Sequence, residues 1–130
     1  MSDLTARRRA YAEELRAISH LRSDALVDGF ATVPREHFLG PGPWQIVSGI
    51  GRNQVRYKAT KDADPTHLYQ NVLVAIDPVR YLNNGEPASL AAWIDCLNLR
   101  SRERVVHIGC AYTTQWADKA KAEMAANPPL

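Results

Sequence analysis

The chain has 130 residues, 45% of them hydrophobic and 23% charged, the proportions of one globular domain rather than a disordered tail. No stretch approaches the roughly 20 apolar residues of a membrane-spanning helix. Lys and Arg number 16 against 14 Asp and Glu, and that balance does not point to nucleic acid, whose binders usually carry a basic patch on one face.

The start, with Arg7, Arg8 and Arg9, has no apolar segment behind the arginines, so no secretory signal and a cytoplasmic location are expected. Cys96 and Cys110 have no CxxC companion and read as reduced, buried thiols. Pro and Gly cluster at 40–43 and 83–88, both marking turns. They divide the chain into 1–39, 40–81 and 82–130.

The first part reads as helical. Leu4, Tyr11, Leu15 and Ile18 fall on one face, with Arg7, Arg8, Glu13 and Glu14 facing out. Ser23 is an N-cap candidate for a second helix carrying Leu26, Val27 and Phe30, and Pro34 stops it. In the middle part Val55-Arg56-Tyr57-Lys58-Ala59 alternates like a half-exposed strand, and Val72–Ile76 is a continuous apolar run that fits a buried extended segment. In the third part Leu90, Trp93, Ile94 and Leu97 sit at helical spacing, with Trp93 expected in the core and Pro87 in the first turn. Val105–Ile108 reads as a strand ending at Gly109. Trp116, Ala117, Ala120 and Met124 suggest a last helix after Thr114, stopped by Pro128.

Single residues carry little chemistry on their own. His20, His37 and His67 lack metal-ligand spacing to each other or to the cysteines, so no metal is expected. Arg7–Arg9 are followed at once by Glu13 and Glu14, and the second helix holds Asp24 and Asp28, which reads as a solvated face rather than a recognition helix. Trp44, Trp93 and Trp116 are too widely spaced for a stacking platform.

Two stretches carry a likeness. Ser23–Phe38, with Val33, Pro34, Arg35, Glu36 and Phe38 in a Val-Pro-Arg-Glu-x-Phe pattern, resembles the N-terminal segment of protein-L-isoaspartate O-methyltransferases. The later run is similar too: a tyrosine-led segment from Tyr69, a turn ending at Pro87, the helix with Leu90 and Leu97, and the strand Val105–Ile108 running into Gly109. The likeness spans roughly 5–110, with an unfamiliar stretch at 44–68. It implies an α/β fold: an N-terminal helical cap followed by the start of a Rossmann-like sheet, incomplete here. It also implies methyl transfer from S-adenosylmethionine to a protein carboxylate, with Asn83, Asn84, His107 and Gly109 as the remaining donor-binding positions. A strand histidine at the place of His107 is more often packed or hydrogen-bonded than in contact with a ligand.

Two departures limit what the likeness implies. The family's glycine-rich turn is here Gly109-Cys110-Ala111-Tyr112-Thr113, with the first glycine alone. Those glycines allow a tight turn and a close backbone approach to the ligand. The ribose-gripping acid expected about 20 residues further on falls at Asn127–Leu130, where no acid stands. The family's small hydroxyl residue two positions before the proline is here Gly85. The expectation is the front portion of a methyltransferase domain, inactive alone. The other reading is a non-enzymatic interaction module that pairs as a homo-oligomer or with a full-length relative, through an exposed sheet edge.

Overall fold

The computed structural model describes residues 3–50 and 55–106. They form a mixed α/β arrangement of three α-helices and two small antiparallel sheets. Helix α1, Asp3–Ser19, ends where His20 takes a φ of 51° and the Leu21 N–H returns to the Arg16 carbonyl at 3.2 Å. That left-handed turn closes the helix in a Schellman-type arrangement. Helix α2, Asp24–Thr32, starts at Ser23, whose hydroxyl accepts the Leu26 N–H as expected of an N-cap. It stops before Pro34, and Val33 is already extended.

A 3₁₀ turn follows at Arg35–Phe38. Strands β1, Gln45–Ile50, and β2, Val55–Ala59, pair antiparallel with Gln45 opposite Ala59 and a bulge between Val47 and Gly49. A second 3₁₀ turn at Pro65–Leu68 is capped by Asp64. Strands β3, Ala75–Asp77, and β4, Leu82–Asn83, form the other ladder, joined to the first by a bridge between Ile46 and Val74. Helix α3, Pro87–Cys96, closes the described part.

The core has two centres. The larger gathers Tyr11, Ala12 and Leu15 of α1, Val27 and Ala31 of α2, Tyr69, and Ala88 and Ala91 of α3. The smaller joins Trp44, Leu68 and Val74. The unfamiliar 44–68 stretch thus supplies the β1–β2 hairpin and one wall of the second centre.

Several expectations change. Helix α3 contacts α1 and buries Pro87, Ala88, Ala91 and Asp95, with Ala88 and Ala91 in the core beside Tyr11, Ala12 and Leu15, rather than its large apolar residues. Small side chains let the two helix backbones approach, and Trp93 and Leu97 are spaced onto the far side, while Leu90 stays half-buried on the flank. Trp93 is therefore 69% exposed and Leu97 58% exposed. Cys96 is exposed, not buried, because it follows Asp95 out of that contact. Ile18 lies half exposed near the end of α1. Arg8 does not face out but turns inward onto Glu36 and Tyr69. The Val72–Ile76 run is not a fully buried strand: of its residues Val74 alone is buried, it pairs with Ile46 by a single bridge, and the named strand begins at Ala75.

Val105 and Val106 carry no strand pairing and are 55% and 83% exposed. His107, Ile108, Gly109, Cys110 and the helix expected after Thr114 lie outside the described residues. Both described ladders are antiparallel, whereas a Rossmann-like sheet is built on parallel pairing.

Candidate functional site

The Val-Pro-Arg-Glu segment builds a clamp. Pro34 ends the helical path, so the chain turns back beneath α1 and presents Arg35 and Glu36 to Tyr69. The Arg35 guanidinium donates to the backbone carbonyls of Leu68, Gln70 and Val72, at 3.2 Å for Gln70 and 2.7 Å for Val72. A planar, five-donor group suits three convergent carbonyls. It also lies 5.9 Å from the Tyr11 ring centre. Burial lowers its pKa from the ordinary arginine value, with Tyr11 and Tyr69 opposing.

Tyr69 is the hub. Its hydroxyl donates to Glu36 and accepts from Arg8 Nε at 2.7 Å and from the Arg35 backbone N–H at 3.1 Å. Arg8 also pairs with Glu36. Burial pushes the Glu36 carboxyl up, but the hydrogen bonds from Tyr69, its own backbone and Arg8 outweigh it and hold the group below 4.5. Burial and the Glu36 hydrogen bond raise Tyr69, and burial pushes Tyr11 up to about 12. A second acid, Asp95, accepts from the Ser23 and Arg22 backbone N–H groups at 3.0 and 3.2 Å and from Arg22 Nε at 3.1 Å. It ties the end of α3 to the start of α2, and those bonds, led by the one from Ser23, hold it below 3.8.

Both carboxyls are depressed in the folded chain, so their contribution is complete above the unfolded values and is lost as pH falls through the folded ones. The melting temperature is expected to fall on titration from about pH 6 to about pH 3, and less so in Glu36→Gln. An unchanged melting temperature across that range contradicts the clamp.

Beside the clamp lies a groove of about 350 Å³. Phe30 and Val33, at the end of α2, and Phe38 form one side, and Asn84, Gly85 and Leu90 the other. Residues 33–38 and 84–90 thus meet across one space although they lie far apart in the chain. The lining is mainly apolar, and the Arg35 charge is turned away onto its carbonyls.

Asn84 supplies the polar group. Its Oδ1 accepts the Val74 N–H at 3.0 Å, and its own N–H donates to the Val74 carbonyl at 3.0 Å. That pairing fixes the amide orientation, and the Nδ2 donors have no partner among the described residues. Asn83 is placed differently. Its Oδ1 accepts the Tyr57 hydroxyl at 3.0 Å and its Nδ2 donates to the Tyr81 carbonyl at 3.3 Å, so its amide braces β4 against β2. His107 and Gly109 lie outside the described residues.

Gly85 has a φ of +83°, and a Cβ there would meet Leu90 Cδ1 at 2.9 Å. The turn demands glycine at this position.

Sequence reasoning missed Tyr69, Arg8 and the groove-lining Phe30 and Phe38 as site residues. The signal for the clamp lay in adjacent Arg35 and Glu36 behind a helix-stopping proline, two charges that need partners if the chain turns inward. Among the described residues no group of three His, Cys, Asp or Glu side chains is placed to hold a metal ion, and no helix is long and apolar enough to cross a membrane. No family model, curated protein or solved structure matches the chain.

Proposed function

We propose that the chain is a methyltransferase-type protein whose groove receives a carboxylate-bearing protein segment, for methyl transfer from S-adenosylmethionine. The observation that carries this reading is the meeting of 33–38 with 84–90 at Asn84, whose Nδ2 donors have no partner among the described residues. An apolar trough with one fixed pair of N–H donors suits a peptide that ends in, or projects, a carboxylate. The reaction asks for little else. A carboxylate oxygen attacks the sulfonium methyl carbon, the C–S bond breaks, and a neutral thioether leaves without any proton transfer. The protein's share is proximity and orientation.

The donor positions in this proposal are Asn84, Asn83, His107 and Gly109, in a Rossmann-like unit. Asn84 contributes through its free donors and Asn83 through the β4 brace. The sequence from Gly109 to Thr113 keeps one of the three glycines the resemblance calls for, so the chain alone is a weak donor binder. Titration calorimetry with S-adenosylmethionine tests this. Saturable binding is expected only near the millimolar range, and Ala111→Gly/Thr113→Gly should tighten it at least about tenfold. No binding by either chain contradicts the methyltransferase reading.

The outward face of α3 supports a second reading, an association module. Trp93 and Leu97 are mostly exposed there, and an uncovered apolar patch on a folded domain marks a contact surface. Size-exclusion chromatography at several concentrations separates pairing with a second copy from use by a different chain.

A further inference from the structure

The apolar face of α3 has a basic border. Trp93, Ile94 and Leu97 turn away from α1, and Leu99, Val105 and Val106 are exposed along the chain that follows. Interleaved with them, Arg100, Arg102 and Arg104 are exposed, and none of the three guanidinium groups has an acidic partner among the described residues. Glu103, the acid in this run, directs its carboxylate to the Arg100 backbone N–H at 2.7 Å. A cleft of about 580 Å³ runs between Arg22 and Arg100, with Ile94 and Leu99 in its walls. The Arg22 side chain is 73% exposed at its edge although it reaches Asp95. Ile94 and Leu99 therefore open with Arg22 and Arg100 onto one space, and Trp93, Leu97, Arg102 and Arg104 lie on the exposed surface outside its lining.

Charge and shape select the occupant. A two-fold contact through α3 puts the same unpaired arginines on both sides, and like charges across an interface cost affinity. A nucleic-acid backbone answers the arginines but offers nothing apolar to cover Trp93 and Leu97. A lipid surface answers both, yet it is flat where the cleft is concave. An acidic amphipathic helix meets every requirement: its apolar stripe covers Trp93, Ile94 and Leu97 while its carboxylates reach Arg100, Arg102 and Arg104. We infer that the α3 face is a docking site for an acidic amphipathic helix of a partner protein. The inference rests on the association reading and names its partner.

The test uses the full chain and a fluorescently labelled synthetic helix of about 18 residues, with Leu at helical spacing and Glu elsewhere. Anisotropy is expected to show saturable binding that weakens with added salt. Both Trp93→Gln/Leu97→Gln and Arg100→Glu/Arg102→Glu/Arg104→Glu should weaken it at least about tenfold, with unchanged circular dichroism because all five positions are exposed. The same peptide with Lys for Glu should not bind. Equal binding of the two peptides, or binding that ignores both variants, overturns the inference. So does binding to phosphatidylserine vesicles without binding to the peptide. Self-association lost in Trp93→Gln/Leu97→Gln, with no peptide binding, overturns the acidic partner but keeps the association reading. A monomer that binds no probe removes both.

Discussion

Arg35→Met is expected to destabilise the fold by about 3 kcal/mol, the range for breaking a buried charged network. The guanidinium holds the carbonyls of Leu68, Gln70 and Val72, and methionine replaces its stem but none of its donors. Three acceptors then lose their partners in a part-buried place. The Arg35 backbone N–H still reaches Tyr69, so the hub survives while the 68–72 segment loosens. Arg35→Lys should recover less than half of the loss, because a single ammonium cannot face three carbonyls in one plane. Urea unfolding followed by circular dichroism measures both. A cost below about 1 kcal/mol for Arg35→Met would show that the clamp does not hold the cap to the extended region.

Gly85→Ser tests the turn before α3 in the same way. Serine adds a small hydroxyl that would face the groove's edge in a carboxylate-binding reading. The backbone opposes it. A φ of +83° strains any L side chain, and the new Cβ meets Leu90 Cδ1 at 2.9 Å. The left-handed conformation costs about 1–2 kcal/mol, and displacing Leu90 adds a smaller amount because that side chain can shift. A loss of about 2 kcal/mol is expected, measured by urea or thermal unfolding, with no gain in donor or peptide binding. A neutral or stabilising serine contradicts this account of the turn.

These two positions show where sequence reading succeeds and where it stops. The Ser23 cap, the stop before Pro34 and the β2 strand at Val55–Ala59 were legible because each depends on neighbours in the chain. The buried side of α3 was not. Periodicity finds a stripe of Leu90, Trp93, Ile94 and Leu97, but whether a stripe is covered depends on what packs there, and α1 chose the small residues Ala88 and Ala91. The Arg8–Glu36–Tyr69 network was equally hidden, since it joins three segments through side chains that read singly as surface charges. Likewise the candidate pair Asn83 and Asn84 looks uniform in sequence. The fold separates them, using one amide against Tyr57 and placing the other residue in the groove lining with its Oδ1 on the Val74 N–H.

The most direct measurement is an amide spectrum of the isotopically labelled full chain, titrated with an isoaspartyl peptide in the presence of S-adenosylmethionine. The account predicts shifts gathered at Val33, Phe38 and Gly85, with the largest on the Asn84 side-chain amide. Shifts that leave those four positions unchanged, and gather instead at Trp93 and Leu97, contradict it.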